Sequence, residues 1–162
     1  AGSDGATARR FVAAHAVMLA VQGIPALYVH SMLVSPGEVD AVAASGHNRA
    51  INRGQVTVDQ ANSRLASGWR ADVFREITGL IRLRRSLPAF APEAAQTIHV
   101  LDNRVVAIER RTTSDMVFAV HNVSDQAVTV TVPDGFGLHD LLTDRRVDQE
   151  LTLGPWQAAW LV

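Results

Sequence analysis

The chain has 162 residues, 48% of them hydrophobic, with 15 basic and 16 acidic side chains and a formal charge of −1. That is enough apolar material for one ordinary domain or two small ones, and it leaves no overall field to draw the protein to nucleic acid or an anionic membrane, so any anion site is local. The absence of cysteine excludes disulfides, thiolate metal sites and cysteine nucleophiles, and it permits a reducing compartment; the cytoplasm is the expected location.

The chain opens "AGSDG", where Ser3 or Asp4 is suited to cap a helix predicted from about Ala6 to Gln22. No basic run of the kind that begins a signal peptide precedes it. The helix is apolar nearly all round, from Phe11 and Val12 to Leu19 and Val21, and so demands neighbours on several sides. His15 within it has no second ligand at helical spacing and reads as a hydrogen-bonded packing residue. The apolar run through this helix is interrupted by His15, Gln22, Gly23 and Pro25, which rules against a membrane span.

Gly23 ends the helix and "IPALYVH" follows, continuously apolar and without alternation, as a buried parallel strand would be. The segment from Ser31 to Val56 reads as a long loop of the sort that is usually functional. It contains "GHNRAINRG", with Arg49 and Arg53 four residues apart among polar neighbours and glycines. "TVDQ" at Thr57 then offers a capping box for a short helix.

From Trp69 to Ser86 an amphipathic helix is predicted, with Val73, Ile77, Leu80 and Ile81 on one face. Arg82, Arg84 and Arg85 crowd its last turn, where the dipole favours cations, and read as a solvated helix end. Pro88 and Pro92 mark a boundary, giving an expected division into residues 1–90 and 91–162. Beyond it the period changes from about 3.6 to 2. "TIHVLD", "RVVAIERRT", "DMVFAVHNV", "QAVTVTV", "LHDLLT" and "WQAAWLV" predict an antiparallel meander or sandwich, with "ERRT" on the polar face of an edge strand and "PDGFG" as a turn. A lone parallel strand between helices cannot form a sheet, so the first half reads as one slice of a larger α/β structure.

Together, "AVMLAVQGIPALYVHSMLVS", "GHNRAINRG", "LIRLRRSLPAF" and the closing "LGPWQAAWLV" resemble the C-terminal part of glycoside hydrolase family 13, within the sucrose phosphorylase and glucosylglycerate phosphorylase group. The resemblance covers nearly the whole chain. It implies an α+β chain: the last β/α unit of a (β/α)8 barrel, partial here, followed by an all-β antiparallel C-terminal domain. Ile24 to Val29 would be the final barrel strand and Trp69 to Ser86 the final barrel helix. Active sites of such barrels lie at the C-terminal ends of the strands. The resemblance therefore places His30 and the loop beyond it toward the sugar, with Arg49 reaching the glucose subsite to pair with a carboxylate from an early strand. Arg53 would brace the loop, and His47 and Asn48 are further candidates for substrate contact.

Retaining enzymes of this kind use a carboxylate nucleophile and a carboxylic acid/base about 5–5.5 Å apart. The resemblance places both on barrel strands outside this chain, so no catalytic residue is assigned here. Glu38 and Asp40 read as solvated loop acids. The six histidines show no metal-binding spacing, and neither a metal nor a cofactor is expected. The functional expectation is the C-terminal portion of a phosphorylase or transglucosidase acting on an α-glucoside and phosphate, inactive alone, with the rest of the barrel or a self-associated copy as partner. The alternative is a non-catalytic carbohydrate-binding or interaction module, with Trp69, Trp156 and Trp160 as candidate stacking faces.

Overall fold

The computed structural model describes residues 4–162, so the capping side chains expected at Ser3 or Asp4 lie outside what is described. The chain divides into two compact units, one of residues 1–25 with 77–162 and the other Ala26–Glu76. No helix among the described residues is long and apolar enough to cross a membrane.

In the first unit, helix α1 (Asp4–Ala20) lies against a β-sandwich. Its apolar circumference is not enclosed on all sides: Ala13, Ala16, Leu19 and Ala20 form the buried stripe, while Ala14 is exposed and Phe11 and Val12 are half-buried. His15 packs as expected. Its Nδ1 donates to the Phe11 carbonyl at 2.8 Å and its ring lies 4.4 Å from that of Phe11.

The strands are β1 (Ala95–His99), β2 (Val105–Arg111), β3 (Met116–Asn122), β4 (Val128–Thr131), β5 (His139–Asp140), β6 (Arg145–Arg146), β7 (Glu150–Leu153) and β8 (Ala158–Leu161). Six form one antiparallel sheet in the order β1-β2-β3-β8-β5-β6, and β4 pairs with β7 in a second. Alternate residues of each sheet meet in the core between them: Val105, Phe118, Val120 and Leu161 from one, Val128, Val130, Leu151 and Leu153 from the other. The β3 residues of opposite parity, Val117, Ala119 and His121, are buried too, which explains why β3 reads as a continuous apolar run. In the "PDGFG" turn, Phe136 stacks on Phe118 at 4.1 Å and fastens the turn to the core.

The final residues of α5 (Trp69–Ser86) belong to this unit, and a 3-10 turn, Pro88–Phe90, follows them. Val73, Ile77 and Leu80 are buried as their spacing predicts, with Ile81 half-buried. Two sequence expectations fail in this unit. Arg84 is buried rather than solvated, and Arg110 of "ERRT" is wholly buried on β2, which is not an edge strand because β1 and β3 flank it. Both guanidiniums turn inward to backbone carbonyls: Arg84 donates to Leu19 and Gly23, Arg110 to Ala20, Ala91 and Ala94.

The strand expected at Ile24 to Val29 is not formed. Residues 24–28 have neither helix nor ladder, and Val29 opens a one-turn helix, α2 (Val29–Met32). Ile24 is 84% exposed and Val29 57%. A parallel strand exists only through its neighbours, and the described residues supply none here.

In the second unit, the expected long loop contains two further elements: α3 (Val39–Ser45), closed by Gly46 at φ 66°, and a 3-10 segment, Asn48–Asn52. Helix α4 (Val58–Ala66) begins at the expected capping box. Thr57 Oγ1 accepts from the Gln60 amide at 3.2 Å, and Gln60 Oε1 accepts from the Thr57 amide at 3.0 Å.

Candidate functional site

The motif residues are presented by the chain turning back on itself between Ser35 and Gln55. The Glu38 amide donates to the Ile51 carbonyl at 2.9 Å, which closes the loop across its base. Tyr28 Oη donates to the Asn52 carbonyl at 2.6 Å, and Arg64 of α4 reaches the Ser35 hydroxyl at 3.1 Å. Val34 is held at φ 45°, a left-handed conformation rare for a β-branched residue, with its amide on the Ser31 carbonyl and its own carbonyl accepting from Arg70 Nε at 3.3 Å. Four separate tethers thus fix a segment that has little apolar core of its own.

On this frame His47, Asn48, Arg49 and Arg53 line one open cavity of about 880 Å³, together with Glu38 and Gln55. Arg49 lies in the 3-10 turn, which places it and Arg53 on the same concave wall. No carboxylate among the described residues forms an ion pair with Arg49 or Arg53. The cavity therefore presents two guanidiniums and an imidazole against one carboxylate. Arg49 is exposed, leaving its planar fork available for bidentate contact with a carboxylate or sugar hydroxyls.

His30 is not among the cavity's lining residues. It sits in α2 with its ring 5.1 Å from that of Tyr28. Asp40 is absent from the lining as well, but Glu38, read from the sequence as a solvated acid, lies on the cavity wall over Gly54. A Cβ at Gly54 would come within 2.5 Å of Glu38 Oε1, so glycine there is what lets the carboxylate lie flat on the backbone. That signal was present in the sequence as the glycine closing the motif. One carboxylate does not make the pair that retaining glucosyl transfer requires.

The candidate stacking tryptophans separate. Trp160 is fully buried and offers no face to a ligand; Trp156 and Trp69 are half-buried, each with a guanidinium over its ring, Arg10 at 5.1 Å and Arg70 at 4.6 Å.

No protein-family model matches the chain. It is 33% identical over 163 residues to a glucosylglycerate phosphorylase from Escherichia coli (strain K12), a match covering 98% of this chain and 29% of that protein. A glucosylglycerate phosphorylase from Allomeiothermus silvanus is 31% identical, covering 94% of this chain and 27% of its own length. The chain thus spans less than a third of these relatives. Among solved structures, AmyP in complex with maltose aligns with a TM-score of 0.75 at 20% identity, over 95% of this chain and 34% of that one. A maltogenic amylase from S. marinus aligns at 0.69 and 17% identity, over 94% and 19%. Structural likeness at that identity carries the fold. The expected α+β class, the last unit of a (β/α)8 barrel ahead of an all-β antiparallel domain, is shown by it, although the strand at 24–29 is not formed. Taken with the curated relatives, these matches make the chain similar, over nearly its whole length, to the C-terminal part of glucosylglycerate phosphorylases, with structural neighbours among the enzymes of glycoside hydrolase family 13.

Proposed function

We propose that the chain is the C-terminal portion of a retaining α-glucoside phosphorylase, with residues 1–90 completing a barrel domain and 91–162 forming the domain that follows it. The parent reaction transfers glucose to phosphate. An enzyme carboxylate displaces the aglycone from the anomeric carbon, a carboxylic acid protonates its departing oxygen, and a phosphate oxygen then takes the glucosyl group from the covalent intermediate, freeing the carboxylate. Glucosylglycerate, the substrate class in the relatives' names, is the proposed donor. In this reading Arg49 reaches into the glucose subsite and pairs with a carboxylate supplied by the rest of the barrel. His47 and Asn48 contact the sugar, Arg53 braces the loop, and His30 stands at the mouth. The chain alone is inactive, its partner is the remainder of the barrel or a second copy of itself, and the cytoplasm is where it acts.

The observation that carries this reading is the pair of arginines, without counter-carboxylates among the described residues, on the wall of one open cavity. The test is Arg49→Ala in enzyme assembled with the missing barrel portion. Losing a charged bidentate contact should lower kcat/KM for phosphorolysis on the order of 100-fold while the melting temperature stays unchanged. Turnover within twofold of the parent would remove Arg49 from the site.

A further inference from the structure

The cluster around Arg84 and Arg110 is not used in that reading. Both guanidiniums converge on the C-terminal end of α1 and lie over the ring of Phe90, at 5.3 Å and 5.8 Å from its centroid. Arg110 places four of its five N–H groups on carbonyls, its Nη2 donating to Ala91 at 2.7 Å and Ala94 at 3.2 Å, its Nη1 to Ala20 at 3.2 Å and its Nε to Ala95 at 3.4 Å. Arg84 spends one N–H on Leu19 and one on Gly23, the latter at 2.7 Å. Its Nε–H and one N–H on each terminal nitrogen have no partner among the described residues. No acidic side chain among those residues forms an ion pair with either arginine. The end of a helix contributes only about half a negative charge against two guanidiniums, so the cluster is left net positive in a place where charge is costly. Burial lowers the pKa of both arginines, and Arg84 lowers that of Arg110 further.

Arg84 lines a separate open cavity of about 350 Å³, together with Ile24, Pro25, Ser86, Pro88 and Pro92. We propose that this cavity binds a small oxyanion, a carboxylate or phosphate group on the unpaired N–H groups of Arg84, with any organic part against the proline walls. A guanidinium fork matches either group bidentately, and the burial of Arg84, only 8% exposed, strengthens the contact. The site is independent of the cavity that holds Arg49.

Thermal denaturation of the full chain tests this, with inorganic phosphate and butyrate titrated separately at an ionic strength fixed by potassium chloride. A saturable rise in melting temperature of about 4 °C at tenfold excess over Kd is expected for at least one of them. The response should survive Arg49→Ala and Arg53→Ala and be abolished by Ser86→Glu, which places a carboxylate in the cavity. Which probe acts identifies the anion, phosphate or carboxylate. No saturable response beyond chloride, or one lost with Arg49→Ala and retained in Ser86→Glu, would overturn the proposal and leave Arg84 and Arg110 as a clamp on the helix end only.

Discussion

At the scale of single residues, His121 carries the clearest consequence. It is fully buried, its Nδ1 donates to the Val106 carbonyl at 3.2 Å, and its Nε2 accepts from the indole N–H of Trp160 at 3.3 Å. Both nitrogens are thus engaged with the ring neutral, and burial lowers the pKa to about 4. The unfolded chain takes up this proton near pH 6.5 and the folded chain does not until about 4. Stability is therefore fully present above pH 6.5 and drains away as the pH falls through that window, by about 2 kcal/mol at pH 5. The lowered pKa of Glu109 acts in the same direction, but only at more acid pH. Melting curves from pH 7.5 to 5 should show a loss of roughly 6 °C. His121→Gln, less stable at neutral pH, should show a much flatter profile over that range; an identical slope would mean that another group is titrating.

At the scale of elements, the capping box of α4 is the simplest device to test. Thr57→Ala removes the acceptor for the Gln60 amide and should cost about 1 kcal/mol, read as a lowered urea midpoint with an unchanged slope. This box was legible in the sequence because capping is a local, four-residue event. The α5 face was legible because Val73, Ile77 and Leu80 repeat at helical spacing, and most of the strands because alternation survives in them. What was not legible depended on distant partners. Ile24 to Val29 has a strand's composition without a ladder, and α3 has too little apolar periodicity to stand out from a loop. The two-residue β6 and the strand β7 are too short or too polar to announce themselves. Arg110 was misread by its charge, although it shares parity with the buried Ile108 on β2. Four of the five candidate site residues were brought to one cavity because they are near neighbours in sequence. His30, separated from them by a long segment, was not.

At the scale of the whole molecule, the exposed apolar side chains bear on the partner. Ile24, Val39 and Val58 are 84%, 67% and 75% exposed, apolar surface that a partner chain would remove from water. On the proposal that a barrel remainder covers them, the isolated chain should associate as its concentration rises, and co-expression with the missing portion should replace that association with a defined complex. Light scattering across concentrations measures both, and a chain that stays monomeric throughout would contradict the proposed partnership.

The bond between Trp160 and His121 also supplies an optical handle. Of the three indoles, only that of Trp160 is sealed in the sheet, whereas Trp69 and Trp156 lie half-buried beneath guanidiniums. Its emission is set by a dry environment and a neutral imidazole, so a red shift confined to this fluorophore reports the opening of the β-domain core, separately from events at the arginine loop.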